Sequence, residues 1–375
     1  MPGSNLKLAT AFAALRELGP DTTLSTKIVA TSPPEEGTIN GDLYVVGGGD
    51  PLIVTDNYLA TSKYGAYPHT SLAAISDAIT AAGITRISGS IRGDDSRYDA
   101  LRSVPSWPDR YLAEAQVGPL SALSLNDART YPVGTFDSGI PRPAADPSAY
   151  GAIGLTEQLR ARGIAVEGMP GSGVAPANGT VVTDVPSLPV QQIVSEMLTF
   201  SDNNTAELLL KELGRHRAGQ GSTAAGLDVV RDVLTKAGLG VDGFDPHDGS
   251  GLDRGDRATC SLLAALVAKD GTDGQIATGM AVAGRTGTLR DRFRSSQAAG
   301  EVRAKTGTLN DVTALSGWVH TTKDADVAFS YLLNTDGRRV GPDDLTLQEQ
   351  LTEALRSYPD SPDLASLGPK PPVDR

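Results

Sequence analysis

Ser4-Asn5-Leu6-Lys7, running without a break into the apolar stretch Leu8 to Leu18, is the segment whose reading decides the fold. Alanine-rich and hydrophobic nearly all round, residues 4–18 read as a buried central helix, and Gly19-Pro20 stops it because Gly takes the left-handed cap and Pro cannot continue. On a helix, residues i and i+3 share a face, so the Ser4 hydroxyl and the Lys7 amine come within hydrogen-bond reach. A serine acyl-transfer enzyme without a triad histidine needs that pair, the hydroxyl as nucleophile and the amine to take its proton. Lysine is a poor base at its free pKa of about 10.4. The positive end of the helix dipole and a second cation in the same cleft are the two influences expected to lower it. Backbone N–H groups at the helix start suit a developing oxyanion. Standing alone, Ser-x-x-Lys arises by chance about once in a chain of this size, so partners elsewhere must carry the assignment.

At 375 residues the chain has room for two or three domains and a large core. Its charge of −12, from 33 basic and 45 acidic residues, argues against a nucleic-acid partner. Cys260 is the single cysteine, which excludes an intrachain disulfide, and its apolar surroundings read as core packing. Neither it nor the four histidines (His69, His216, His247, His320) stand at ligand spacing, so no metal site and no cofactor are indicated. No apolar run approaches the length of a membrane span.

Beyond the first helix the periodicity changes to short strands and turns: Lys27 to Thr31, Thr38 to Val46, Ile87 to Ile91, with helices over 71–83 and 148–163. Gly47-Gly48-Gly49-Asp50-Pro51 is a sharp turn without phosphate-loop spacing. Helical periodicity returns at 189–200, 205–216, 222–237 and 259–269, and Ser201-Asp202-Asn203 lies between the first two. Val302 to Thr308 is a strand ending in Lys305-Thr306-Gly307-Thr308, followed by strands Ala314 to His320 and Val327 to Asn334 and a helix from Leu345 to Tyr358. The expected fold class is α/β: an antiparallel sheet with helices on both sides, carrying a large β-rich insertion of one or two nested domains. The expected boundaries are 1–27 plus 181–358 for a discontinuous transpeptidase-like body, 28–180 for the insertion and 359–375 for a disordered Pro-rich tail.

Three motifs thus stand in order, Ser4 to Lys7, Ser201 to Asn203 and Lys305 to Gly307, and together they resemble the signature of penicillin-binding proteins and class A β-lactamases. Chemistry gives each a role. Lys305 supplies a fixed positive charge for a substrate carboxylate and helps keep Lys7 neutral. Thr306 and Thr308 hydroxyls bind that carboxylate. Gly307 removes a side chain where a peptide lies flat along the strand. Ser201 relays a proton to the leaving amine, the Asn203 amide holds a peptide carbonyl, and the N–H groups of Ser4 and Thr308 form the oxyanion hole. Arg285-Thr286-Gly287-Thr288 is a rival for the third motif, and Ser124-Leu125-Asn126 for the second.

Roughly 190 residues separate Lys7 from Ser201, far more than a β-lactamase-like domain needs. With that spacing the chain resembles the low-molecular-mass class C penicillin-binding proteins, the D-Ala-D-Ala carboxypeptidase/endopeptidase family. Further landmarks are Gly47 to Pro51, Pro119 to Asp127, Asp248-Gly249-Ser250-Gly251-Leu252 and Ala283 to Leu289, which absorbs the Arg285 to Thr288 rival. The resemblance implies an acyl-enzyme on Ser4, peptidoglycan stem peptides ending in D-Ala-D-Ala as substrate, β-lactams as covalent inhibitors, and an extracytoplasmic location. It also matches Asp95 to an inserted-domain acid that faces the amine of a diaminopimelate side chain; the alternative reading is a turn-capping aspartate. Family members carry a segment before the nucleophile that joins the main sheet, whereas this chain begins three residues ahead of Ser4. A leading segment with its signal peptide is therefore expected to be missing, leaving an exposed sheet edge, lower stability and lower activity than a longer form. The alternatives are a β-lactamase or esterase on the same scaffold, or a non-catalytic wall-binding fragment. A class A β-lactamase would carry Glu-x-x-Leu-Asn after the second motif, and residues 230–250 contain none.

Overall fold

The computed structural model describes residues 1–130 and 141–360, so the expected tail beyond 360 lies outside the described residues. The first helix is not α-helical from its start. Gly3–Leu6 form a single 3-10 turn and the α-helix proper runs Lys7–Glu17. In a 3-10 turn, side chains three apart eclipse one another, which stacks Lys7 directly over Ser4. Leu6, Leu8, Ala11, Phe12, Ala13 and Ala14 are buried all round the helix. Helices Val190–Phe200, Asn203–Ala218, Thr223–Lys236 and Cys260–Asp270 surround it and close one apolar core.

Beside this core stands a fully antiparallel sheet in the order Ala281–Val282, Val302–Leu309, Val312–His320, Asp326–Asn334. Strand alternation sends Leu315, Val319 and Phe329 to one face, where Leu355 of the closing helix Pro342–Leu355 packs, and Trp318, Ala328 and Leu332 to the helical core. Asp326–Asn334 ends the sheet.

The β-rich block is built on a second core. Strand Thr26–Ala30 pairs antiparallel with Thr180–Val185 on one side and Leu43–Val46 on the other, and Ile91–Asp94 and Gly171–Ser172 continue the sheet in parallel. A smaller parallel sheet joins Thr38–Ile39, Arg86–Ile87 and Ala165–Val166. Helices Leu72–Ala81 and Pro147–Ala161 share its apolar core. The strand expected over Ile87 to Ile91 is in fact two strands in different sheets. Ser88 Oγ accepts from Gly41 N at 3.0 Å and a Cβ on Gly89 would collide with the Gly41 backbone, so the chain bends there instead of pairing.

Residues 98–122 form a strap that lies on the helical body, burying Tyr98, Trp107, Tyr111 and Leu120 against Leu208 and Leu252. Arg97 donates to the Glu212 carboxylate at 2.8 and 2.5 Å, Tyr98 donates to the same group at 2.9 Å, and Lys211 meets Asp99 at 2.5 Å. Cys260 corrects an expectation. As the first residue of its helix it is exposed, because the helix buries Leu262, Leu263, Leu266 and Val267 instead.

Candidate active site

The three motifs converge on one groove. Lys7 is completely buried, and its Nζ lies 3.2 Å from Ser4 Oγ, 2.6 Å from Asn203 Oδ1 and 2.7 Å from the Ser250 carbonyl oxygen. Asn5 fixes this turn to the sheet: with its amide turned to satisfy both neighbours, the nitrogen donates to Lys305 O at 2.7 Å and the oxygen accepts from Leu315 N at 3.2 Å. Gly307 permits the approach: a Cβ there would sit 2.9 Å from Pro2 O and 3.0 Å from Ser4 N.

Ser201 takes the left-handed conformation (φ 66°) because the chain must reverse between Val190–Phe200 and the next helix, which Asp202 caps through Thr205 N at 2.6 Å. That turn aims Ser201 Oγ at Lys305 Nζ, 2.7 Å away; Lys305 also donates to Thr306 O at 2.8 Å. Strand Ala281–Val282 pairs with Arg303 and Ala304, so among the described residues no strand pairs with that side of Val302–Leu309 from Lys305 onward. Thr306 Oγ1 donates to Thr288 Oγ1 at 2.8 Å, and Thr308 is exposed on the same edge. Between Thr308 and Gln116 the groove opens into a cavity of about 210 Å³ that Tyr111, Leu252 and Arg254 also line.

Burial is the main reason the Lys7 amine is held down to about 8, with Asp248, Asp202, Glu207 and Asp256 pulling the other way. The expected helix dipole and neighbouring cation are not the chief causes. Burial also pushes the Lys305 amine well below its ordinary value, and the Lys7 charge adds to this.

Asp95 stands apart from the motif side chains. It accepts from Ser121 Oγ at 2.9 Å and pairs with Arg102 at 2.6 Å. The turn-capping role belongs to its neighbour Asp94, which accepts from Ser96 N at 2.9 Å. The Ser124 to Asn126 rival serves elsewhere, with Asn126 Oδ1 accepting from Thr55 N at 2.9 Å.

Four groups escaped sequence reasoning. The Ser250 carbonyl accepts from Lys7, the Gln116 carbonyl accepts from Asn203 Nδ2 at 2.6 Å, Thr288 meets Thr306, and Glu207 underlies the Ser250 loop. The first three act through backbone or a neighbouring hydroxyl and leave little trace in residue type. Gly251 was the available signal: at φ +84° its Cβ would strike the Gly3 carbonyl, so Asp248 to Leu252 must press on the nucleophile turn.

Comparison with known proteins places the chain in a family. The family model described as D-Ala-D-Ala carboxypeptidase 3 (S13) matches residues 1–139 and 132–356. D-alanyl-D-alanine carboxypeptidase of Actinomadura sp. (strain R39) is 29% identical over 432 aligned residues, spanning 96% of this chain and 77% of that protein. Carboxypeptidase DacB of Mycolicibacterium smegmatis is 28% identical over 95% of this chain and 75% of its own length. Among solved structures, penicillin binding protein 4 (dacB) from Haemophilus influenzae superposes with a TM-score of 0.78 at 20% identity, covering 95% of this chain and 91% of that one, and so shares the fold. With the family model reaching from the nucleophile turn to the closing helix, the chain belongs to the D-Ala-D-Ala carboxypeptidase 3 (S13) family.

Proposed function

We propose that Ser4 is the nucleophile of a serine-type D-Ala-D-Ala carboxypeptidase/endopeptidase acting on peptidoglycan stem peptides, and that penicillin acylates the same hydroxyl. The observation that carries this reading is the coordination of Lys7 Nζ. A neutral amine has two hydrogens and one lone pair. The carbonyl oxygens of Asn203 and Ser250, at 2.6 and 2.7 Å, take the two hydrogens, so the lone pair faces Ser4 Oγ at 3.2 Å. Ser4 then donates its proton to Lys7 as Oγ attacks the carbonyl carbon of the penultimate D-Ala. The oxyanion is held by the N–H groups of Ser4 and Thr308. The peptide lies along the free edge beyond Ala304, its terminal carboxylate at Lys305, Thr306 and Thr308. That carboxylate stabilises the ammonium form of Lys305, which in turn favours a neutral Lys7. The proton on Lys7 passes through Ser201 to the leaving nitrogen, the C–N bond breaks, and water hydrolyses the Ser4 ester along the reverse proton path. The names of the relatives support the substrate class.

The same reading puts the protein outside the cytoplasm, with its wall substrate, and assigns Asp95 to the diamino side chain of the stem. We also take the insertion to run from 26 to 185, a few residues wider than 28–180, because its first and last strands pair with each other.

Intact-mass measurement after incubation with benzylpenicillin tests the proposal. A stable adduct on the native chain and none on Ser4→Ala is expected. Rapid turnover without accumulation would assign a β-lactamase, and no reaction would assign the non-catalytic wall-binding alternative. Digestion of purified muropeptides then separates carboxypeptidase from endopeptidase action.

A further inference from the structure

Lys7 is aimed by two carbonyl oxygens, and both are governed by one face of the Asn203–Ala218 helix. Asn203 contributes its own side chain. Glu207, one turn on, reaches the second carbonyl indirectly. It is completely buried, and its Oε1 accepts from Gly249 N at 3.0 Å and from Ser250 N at 2.8 Å. Thr10 Oγ1 holds the Gly249 carbonyl at 2.7 Å, and Asp248 accepts from Ser250 N and Gly251 N at 3.1 and 2.7 Å. The loop whose carbonyl meets Lys7 is therefore suspended from buried side chains. Resting on the Ser4–Lys7 reading above, we propose that Glu207 is a positioning residue which, as a neutral acid, pins the Gly249-Ser250 backbone so that the Ser250 carbonyl orients the Lys7 amine toward Ser4.

Burial argues for the neutral acid, because two N–H donors reach one oxygen and among the described residues no cation bonds to either oxygen. Glu207 Oε2 is buried without a hydrogen-bond partner among the described residues, as is the Ser250 hydroxyl. An ionised carboxylate with one bare oxygen in such a place is strongly disfavoured. The groups facing it are Lys7 from the first helix and Asp248 from the loop, with Asp253 and Asp256 beyond Asp248. Burial, then Asp248, raise the Glu207 carboxyl to about 8. Neutrality matters for Lys7, because an anion here would stabilise the ammonium ion and remove the base.

The test is the second-order rate of acylation by a fluorescent penicillin between about pH 5.5 and 9.5 for the native chain, Glu207→Gln, Glu207→Ala and Lys7→Ala. In Glu207→Gln the amide oxygen still accepts from Gly249 and Ser250 and no charge can develop. It should match the native rate up to about pH 7.5, where the group it replaces is already neutral. Glu207→Ala frees the loop and should lose about 10- to 100-fold at every pH. A Glu207→Gln rate several-fold above the native one in that range, the mark of an anion in the native chain, or one as low as that of Glu207→Ala, overturns the inference. Should Glu207→Ala fail to fold, the Glu207→Gln profile decides alone. Native-like acylation by Lys7→Ala would instead remove the base itself, and so overturn the underlying Ser4–Lys7 reading along with this one.

Discussion

Lys7 sits where an ammonium ion is hard to sustain. It is buried, its two carbonyl acceptors are satisfied by a neutral amine, and its value of about 8 lies well under that of free lysine. Acylation by penicillin should therefore rise with pH through a limb near 8 and level off above it, because the deprotonated amine is the active form. A limb two units higher would mean that burial does not tune this lysine. Lys7→Arg, which keeps a cation but cannot give up its proton, should lose about 1,000-fold or more in the same assay. Gly307 makes a different residue-scale prediction. With Pro2 O and Ser4 N 2.9 and 3.0 Å from where its Cβ would lie, Gly307→Val must push the strand off the nucleophile turn. Acylation should fall about 100-fold, a penalty typical of misplaced reacting groups. A native rate would show that the turn tolerates the displacement.

At the scale of elements, what the sequence made legible follows physical range. The buried first helix, the helices around it and the three long strands each carry their own periodicity. They were readable because burial of a continuous face is written locally. The site motifs were readable for a related reason, since Ser4, Lys7, Ser201, Asn203 and Lys305 meet through side chains. The break at Ser88 to Ser90, the exposure of Cys260 and the strap over 98–122 were not readable, because each depends on a partner far along the chain. Gly89 meets Gly41, and Tyr98 meets Glu212. The ion pairs that seat this strap yield an element-scale prediction. Arg97→Ala leaves the Glu212 carboxylate, 3% exposed, with Tyr98 as its one hydrogen-bond partner among the described residues. It should destabilise the protein by about 2–3 kcal/mol in urea titration, below the usual figure for a buried pair because a third of Arg97 is open to solvent. An unchanged midpoint would mean that apolar packing alone holds the strap.

For the whole molecule, buried acids set the pH response. Asp50 and Asp127 are each raised to about 6 and Glu207 to about 8, all chiefly by burial. The folded chain thus keeps protons that the unfolded chain has released, and stability must fall as pH climbs from about 4 through 8. Asp344, held down to about 2 by Arg338, acts oppositely and withdraws its contribution as pH falls below about 4. Lys7 restores some stability only above about 8, where the folded form has lost a proton that the unfolded form keeps. The thermal midpoint should therefore peak near pH 4 and be several degrees lower at pH 8; a midpoint rising steadily to pH 8 would show that these acids are ionised in the fold. Above this response stands the central claim, that distant segments meet so that a buried neutral amine activates one hydroxyl. Intact mass spectrometry with benzylpenicillin, run on the native chain, Ser4→Ala and Lys7→Ala, tests it most directly. One adduct is expected, localised by peptide mapping to Ser4 and missing from both variants, whereas an adduct on any other residue, or an undiminished one on Lys7→Ala, would rule this activation out.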